Sequence, residues 1–393
     1  MLKKIGVEKV RQGMYIQEIC ANWMDHPFWK SKFLLEDPKD LNALKQSGVK
    51  EVWIDISKGL DVEIVKREEA QAPEPKPVAQ AVIQVPIHEE LGRARAIRNK
   101  AKEAVTSMFQ EVRMGKALHP GDAAGLVDDI TLSVTRNPSA LLSLVRLKNK
   151  DDYTYLHSVA VCALMVALGR QLGLEADALK SAGIAGLFHD VGKMMIPEEV
   201  LNKPGKLTDE EFSVIRTHPE RGWEILKASR EVDDIALDVC RHHHERVDGK
   251  GYPDGLSGDL LTLFARMGAV CDVYDAITSV RCYKAGWDPA DAIRKMAQWQ
   301  EGQFDAAVFK AFVKTVGIYP VGTLVRLKSM RLAIVTEQTA RSLLKPIVKV
   351  IFSIRANGPL QPELVDLSKI HDEISGVEDP EKWKIDPLVL AGI

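Results

Sequence analysis

The stretch KREEAQAPEPKPVAQ at residues 66–80 constrains the fold most, because its proline, alanine and charge leave almost no apolar surface to bury. It reads as a linker dividing the chain into a short amino-terminal part and a long remainder. With 393 residues the chain exceeds one typical core, and roughly two or three domains are expected. Residues 1–65 alternate apolar and polar positions with glycine punctuation, as in VRQGMYI and SGVKEVWIDI, around the aromatic cluster NWMDHPFWKSKFLL. They predict a small α+β domain, with the linker running from 66 to 87. Residues 88–315 are helical in texture: HEELGRARAIRNKAKEAVTSMFQEVRMG combines helix formers with long apolar residues recurring on one side. Within this region KLTDEEFSVIRTH carries a capping box, with Thr208 as N-cap and Glu211 placed to reach back to its amide. Residues 316–393 change pattern again, and GTLVRLKSMRLAIVTEQ and PIVKVIFSIR read as strands of a β-rich appendage. The expected fold class is therefore mainly α, a helical bundle with a smaller domain at each end.

Acidic and basic residues nearly cancel, 55 against 53, so nothing global draws the chain to DNA or to an anionic membrane. Any anionic ligand must be held by local groups. The cysteines at 20, 162, 240, 271 and 282 are scattered and lack CxxC spacing, which argues against a disulfide framework or a zinc ribbon and for a reducing cytoplasm. No cationic, apolar, cleavable leader opens the sequence. The longest apolar run, SVAVCALMVALG at 158–169, is expected to be a buried helix, too short for a membrane span.

The chemistry concentrates in the middle. Six of the ten histidines fall between 157 and 244: His157, His189, His218 and the run 242–244. A divalent transition metal takes imidazoles and carboxylates, and a two-metal centre also takes a carboxylate that bridges. His189 and Asp190 in GLFHDVGK and Asp272 in AVCDVYDA complete the candidates. Each has an ordinary alternative. His157 on an apolar helix could be a hydrogen-bonded core residue, and His218 a residue at a helix junction. Tyr252 could simply pack in its loop, and Arg281 and Lys284 could be solvated charges at a helix end. Asp272 weighs more, because an acid on an apolar helix face is costly unless paired or bound to a cation.

In order and spacing together, these residues resemble the HD-GYP proteins, a branch of the HD metal-dependent phosphohydrolases that degrades cyclic di-GMP. The resemblance runs from about 150 to 315 through YTYLHSVAV, AGLFHDVGKMMIP, LNKPGKLT, THPERGWEIL, HHERVDGKGYPDGLSG and DVYDAITSVRCYK. HPFWKSKFLL and VWIDISKG resemble the domain of unknown function that precedes such modules. The resemblance implies an HD-type helical bundle with two divalent metals, iron or manganese. His157, His189, Asp190 and Asp272 would hold the first, and His218, His243 and His244 the second, with Asp190 bridging. A water between the two cations becomes hydroxide near neutral pH and attacks a phosphodiester. Alignment on HHER leaves His242 outside the ligand set. Family members with a third metal use a carboxylate one helical turn before the first histidine. Here Tyr153 occupies that position and Asp151 and Asp152 are off register, so two metals are expected. Cys271 beside Asp272 is assigned to packing.

The resemblance further implies that Lys193, one turn after His189, neutralises charge on the reacting phosphate or positions the nucleophile. Tyr252 of the GYP loop would offer its ring or hydroxyl to the ligand, while Arg281 and Lys284, three apart, would face one phosphate. The family's RPY reads RCY here, with Cys282 in place of proline. The activity implied is hydrolysis of cyclic di-GMP to pGpG, with GMP as a further product. A non-catalytic cyclic di-GMP effector, a protein-interaction module and an HD hydrolase of another phosphoester stay open as alternatives. So do a protein partner at the GYP loop or amino-terminal domain and a homodimer.

Overall fold

A computed structural model of the chain describes residues 2–20, 32–47, 49–60, 84–119, 121–146, 153–229, 232–279, 286–339 and 342–386. The linker stretch 66–80 and most of the amino-terminal aromatic cluster lie outside the described residues. The first part folds as strands β1 (Leu2–Gly6), β2 (Tyr15–Ile19) and β3 (Phe33–Leu34), helix α1 (Pro38–Gln46) and strand β4 (Glu51–Asp55). The sheet has the antiparallel order β1-β4-β2-β3. Its inward positions, among them Met14, Ile16, Leu35, Leu44, Val52 and Ile54, form a separate core. This is the mixed α and β texture that the alternation of apolar and polar residues predicts.

The helical part runs through α2 (Ile87–Arg113), α3 (Gly121–Arg136), α4 (Pro138–Val145), α5 (Tyr153–Gln171), α6 (Ala176–Phe188), α7 (Glu198–Leu201) and α8 (Asp209–Ile215). It continues with α9 (His218–Ala228), α10 (Asp234–His242), α11 (Leu263–Thr278), α12 (Pro289–Gln303) and α13 (Ala306–Val316). Helix α5 is the axis of the bundle. Every residue from Leu156 to Gly169 on it is buried. Its Val159, Cys162 and Val166 join one apolar cluster and its Val161, Met165 and Leu168 the other. A helix that is apolar all round must be covered on every side, and each fully buried large side chain contributes ~1.5–3 kcal/mol. The helix is longer than its apolar run suggests: at 19 residues it meets the length and hydropathy needed to cross a membrane. The expectation that it is too short is therefore corrected. Its burial, 78% of the apolar window, makes it a core helix.

Helix α6 lies against α5 because Gly186 has no side chain: a Cβ there would come within 2.9 Å of the Cys162 Cα. That approach brings the end of α6, and the His189–Asp190 pair that follows it, to the first turn of α5. The capping box at α8 forms as the sequence predicts, with Glu211 N donating to Thr208 Oγ1 at 3.2 Å and Thr208 N to Glu211 Oε2 at 2.7 Å.

A buried acid ties α2 to α3. Glu90 is fully buried and accepts from Arg136 Nε at 2.7 Å, from Arg136 at the other oxygen at 2.8 Å, and from Ser133 Oγ at 2.9 Å. Burial opposes the charge, but Arg136 and Ser133 outweigh it and hold the carboxyl below its ordinary range. A depressed folded value stabilises above the unfolded carboxyl's ~4.3, and that stabilisation is lost as pH falls through the folded value. Glu90→Ala is expected to cost ~2–3 kcal/mol at neutral pH, less than a wholly buried pair because Arg136 stays partly solvated. Glu90→Gln is expected to flatten stability against pH below ~4.3, read from urea midpoints across the acid range.

The carboxy-terminal part comprises β5 (Leu324–Leu327), β6 (Arg331–Glu337), β7 (Ile347–Ser353), β8 (Gly358–Asp366), β9 (Ile374–Val377) and a short α14 (Pro380–Trp383). These strands pair antiparallel in the order β8-β7-β6-β5-β9. The sheet meets the bundle through Glu337 Oε1, which accepts from Ile87 N at 3.3 Å at the start of α2, and through Val321, buried in a helical cluster.

Candidate active site

Helix termini and one helix face converge on one buried cluster. His157 sits in the first two turns of α5, and His189 directly follows α6. Asp190 precedes the 3-10 turn Val191–Met195, and His218 opens α9. His243 and His244 follow α10, while Asp272 projects from the middle of α11. Asp233 and Thr262 cap α10 and α11 and so fix the helices that carry His243 and Asp272.

The imidazoles are oriented by their outer nitrogens. His189 Nδ1 lies 2.8 Å from Gly186 O, His218 Nδ1 2.7 Å from Ile215 O, and His243 Nδ1 3.0 Å from both Val239 O and Cys240 O. These carbonyls lie in the last turns of α6, α8 and α10, where helices run out of intrahelical donors, although Val239 O also accepts from His243 N at 3.0 Å. A carbonyl only accepts, so Nδ1 carries the proton and Nε2 presents its lone pair inward. Two pairs of these inward nitrogens face each other at 3.3 Å, His157 with His189 and His218 with His243.

Asp190 sits between the pairs. Its Oδ2 is 3.3 Å from His157 Nε2 and 3.4 Å from His189 Nε2, and its Oδ1 is 3.2 Å from His218 Nε2 and 3.7 Å from His243 Nε2. Asp272 joins the first side, with Oδ1 3.0 Å from His157 Nε2, and reaches the second through Oδ2, 3.8 Å from His244 Nδ1. Lys193 Nζ pairs with Asp190 Oδ2 at 2.5 Å.

These residues fit divalent cations. Asp190 Oδ1 is buried with no hydrogen-bond donor, and facing lone pairs repel unless a cation lies between them. The donor atoms of His157, His189 and Asp272 lie within 4.8 Å of one another, as do those of His218, His243 and His244 and those of His189, Asp190 and His243. Burial opposes a charge on His189, but Asp190 and Asp272 outweigh it and raise it to about 10. On the other side, burial and the neighbouring His218 hold His244 down at about 3 against the pull of Asp272.

One residue of this cluster escaped the sequence reading. Asp275 Oδ2 lies 2.6 Å from His157 Nδ1, both groups buried, so this imidazole is oriented by a carboxylate where His189, His218 and His243 use carbonyls. The signal was present in DVYDA, an acid three positions after Asp272 on the same helix face. A carboxylate behind a ligating histidine fixes its tautomer and raises its basicity. Asp275→Asn is expected to weaken manganese binding ~10–100-fold, read by titration of metal-free protein.

The stretch after His244 is pinned to the cluster from below. Buried Glu245 Oε1 accepts from Asp254 N at 2.7 Å and Gly255 N at 2.9 Å. His242 lies between Asp238 Oδ1, at 2.8 Å, and Asp254 Oδ2, at 3.0 Å, while Arg241 forks onto Asp254 at 2.7 and 2.9 Å. His242 thus stands outside the cluster and ties the loop to α10. Tyr252 stacks on His244 with centroids 4.8 Å apart. Burial pushes its phenol up, so the hydroxyl is a neutral donor at neutral pH. Tyr153 stacks on His157 with ring centroids 5.6 Å apart. Cys271 packs in the second apolar cluster. Arg281, Cys282 and Lys284 lie outside the described residues.

Residues 137–308 match the HD domain family, and residues 2–123 match a domain of unknown function, DUF3391. A cyclic di-GMP phosphodiesterase of Pseudomonas aeruginosa is 54% identical over 388 residues, covering 98% of this chain and 94% of the relative. The chain belongs to the HD-GYP phosphodiesterase family. Within it, a cyclic di-GMP phosphodiesterase response regulator of Xanthomonas campestris is 36% identical over 177 residues, covering 45% of this chain and 46% of its own. A 3′3′-cGAMP-specific phosphodiesterase of Vibrio cholerae is 34% identical over 166 residues, covering 42% and 38%. The HD-GYP residues GYP stand here as Gly251, Tyr252 and Pro253, at the loop held by Glu245. The protein is a phosphodiesterase of this family, with a mainly helical HD-type bundle and strand-rich regions at both ends.

Proposed function

We propose that the protein hydrolyses cyclic di-GMP, opening the ring to linear pGpG and continuing to GMP, at a binuclear metal centre in the cytoplasm. His157, His189, Asp190 and Asp272 would hold one cation, and His218, His243, His244 and Asp190 the other. The observation that carries this reading is Asp190: buried, with Oδ2 toward one histidine pair and Oδ1 toward the other. Imidazole and carboxylate donors without thiolate suit iron or manganese. When bound, the two cations supply Lewis acidity and a water acidic enough to deprotonate near neutral pH.

The remaining work falls to the chain itself. Lys193, held beside Asp190, carries positive charge to the face where charge builds up on the phosphate. Tyr252 donates its hydroxyl to the ligand from a ring fixed against His244. Arg281 and Lys284 would face one phosphate together, the arginine through its fork. The Pseudomonas and Xanthomonas relatives, both named for cyclic di-GMP, support the substrate.

The test is turnover by full-length protein reconstituted with ferrous iron or manganese without oxygen, with products separated by chromatography. Linear pGpG is expected first and GMP later. Tight binding of cyclic di-GMP without conversion would instead make the protein an effector.

A further inference from the structure

Beside the histidine cluster a pocket of about 330 Å³ is lined by His243, His244, Tyr252, Phe212 and Arg216. That volume falls within the ~300–1,000 Å³ usual for small-ligand sites. Its outer wall is the end of α8. Arg216 N donates to Phe212 O at 3.0 Å and Arg216 keeps helical dihedrals, so the two side chains stand one turn apart on one face. Phe212 is 49% exposed, a large aromatic ring left open to solvent at the mouth of an active site. The Arg216 guanidinium lies over the Tyr252 ring, 4.5 Å from its centroid. Among the described residues no carboxylate or carbonyl engages it.

We propose that Phe212 and Arg216 form a guanine-reading subsite. The inference rests on the cyclic di-GMP reading and adds the base to it. A phosphate bound at the histidine cluster would carry its nucleoside outward, and the pocket wall there offers a flat aromatic ring and a planar double donor. Guanine matches both. Its face stacks on an aromatic side chain, and its O6 and N7 both accept, the edge that an arginine fork recognises. Adenine presents an acceptor and a donor on the same edge, so the fork loses one bond and meets an N–H instead. Tyr252 holds the guanidinium in place by cation–π attraction, which lowers the cost of ordering a long side chain. The sequence contains no sign of this, because FSVIR reads as an ordinary amphipathic helix end.

The test compares kcat/KM for cyclic di-GMP and cyclic di-AMP in manganese-loaded full-length protein. The wild type is expected to prefer cyclic di-GMP. Arg216→Gln is expected to shrink that preference by about 10-fold or more, through loss on cyclic di-GMP. Arg216→Lys is expected to shrink it as well, because lysine keeps the charge and lacks the fork. Phe212→Ala is expected to lower both substrates together and Phe212→Trp to restore them, since stacking tolerates either purine. Metal content and melting temperature, measured on each variant, show that it is folded and loaded. Rescue by Arg216→Lys, or equal losses on both substrates in Arg216→Gln, would overturn the subsite by making Arg216 a simple charge. A wild type that does not turn over cyclic di-GMP would overturn the proposed function itself.

Discussion

Asp190→Asn is expected to lower turnover of cyclic di-GMP on the order of 1,000-fold or more. The amide keeps the volume of the side chain but replaces one anionic oxygen with an N–H donor. Asp190 is buried between two histidine sets, and both of its oxygens are committed, one to each. Either orientation of the amide therefore turns a donor group toward one cation position. The same change leaves Lys193 without its anionic partner. Steady-state kinetics and metal analysis on the same preparation check this, with activity and metal content expected to fall together. Full activity in Asp190→Asn would mean that the bridging position lies elsewhere.

Gly192→Ala is expected to have the largest effect on the fold. A Cβ at this position would lie 2.0 Å from His218 O and 2.4 Å from Gly222 N, both backbone atoms of α9 or its first turn. Backbone cannot swing aside as a flexible side chain can. The 3-10 turn that bears Asp190 and Lys193 must back away from the helix that bears His218, which separates the two halves of the cluster. Overpacking of this kind costs ~3 kcal/mol, and for a unit the size of the helical part, melting on its own, that corresponds to a fall in Tm of roughly 6–12 °C. Thermal melts check it against Gly92→Ala, where nothing lies within 4 Å of the added methyl and no loss is expected.

The sequence made the composition of the cluster legible before its geometry. His157, His189, Asp190, His218, His243, His244 and Asp272 are scattered along the chain, yet the structure brings all of them together, because each lies at a helix end or on a buried helix face where a polar side chain needs a reason. The supporting groups were harder to see. Asp275 shares a helix face with Asp272, yet its partner His157 lies 118 residues away in sequence, and Glu245, whose partners are loop backbone, looks like any solvated charge in a one-dimensional pattern. His242 was conspicuous as part of a triple histidine, but its pairing with Asp254 depends on how the loop folds back. At the carboxy terminus the strands could be read from alternation. Their order could not, since β5 pairs with β9 across the whole length of β6, β7 and β8. Strand order rests on non-local closure, which local alternation does not encode. The glycines at 186 and 192 read as ordinary helix and turn residues, and only the approach of neighbouring backbone shows why no side chain fits.

The central claim is that one buried carboxylate joins two cation positions, and counting metal ions tests it most directly. Full-length protein purified without oxygen, loaded with ferrous iron or manganese and desalted, should contain two ions per chain by elemental analysis, and Asp190→Asn fewer. A wild type that saturates at one ion, or an Asp190→Asn variant that still holds two, would contradict the account.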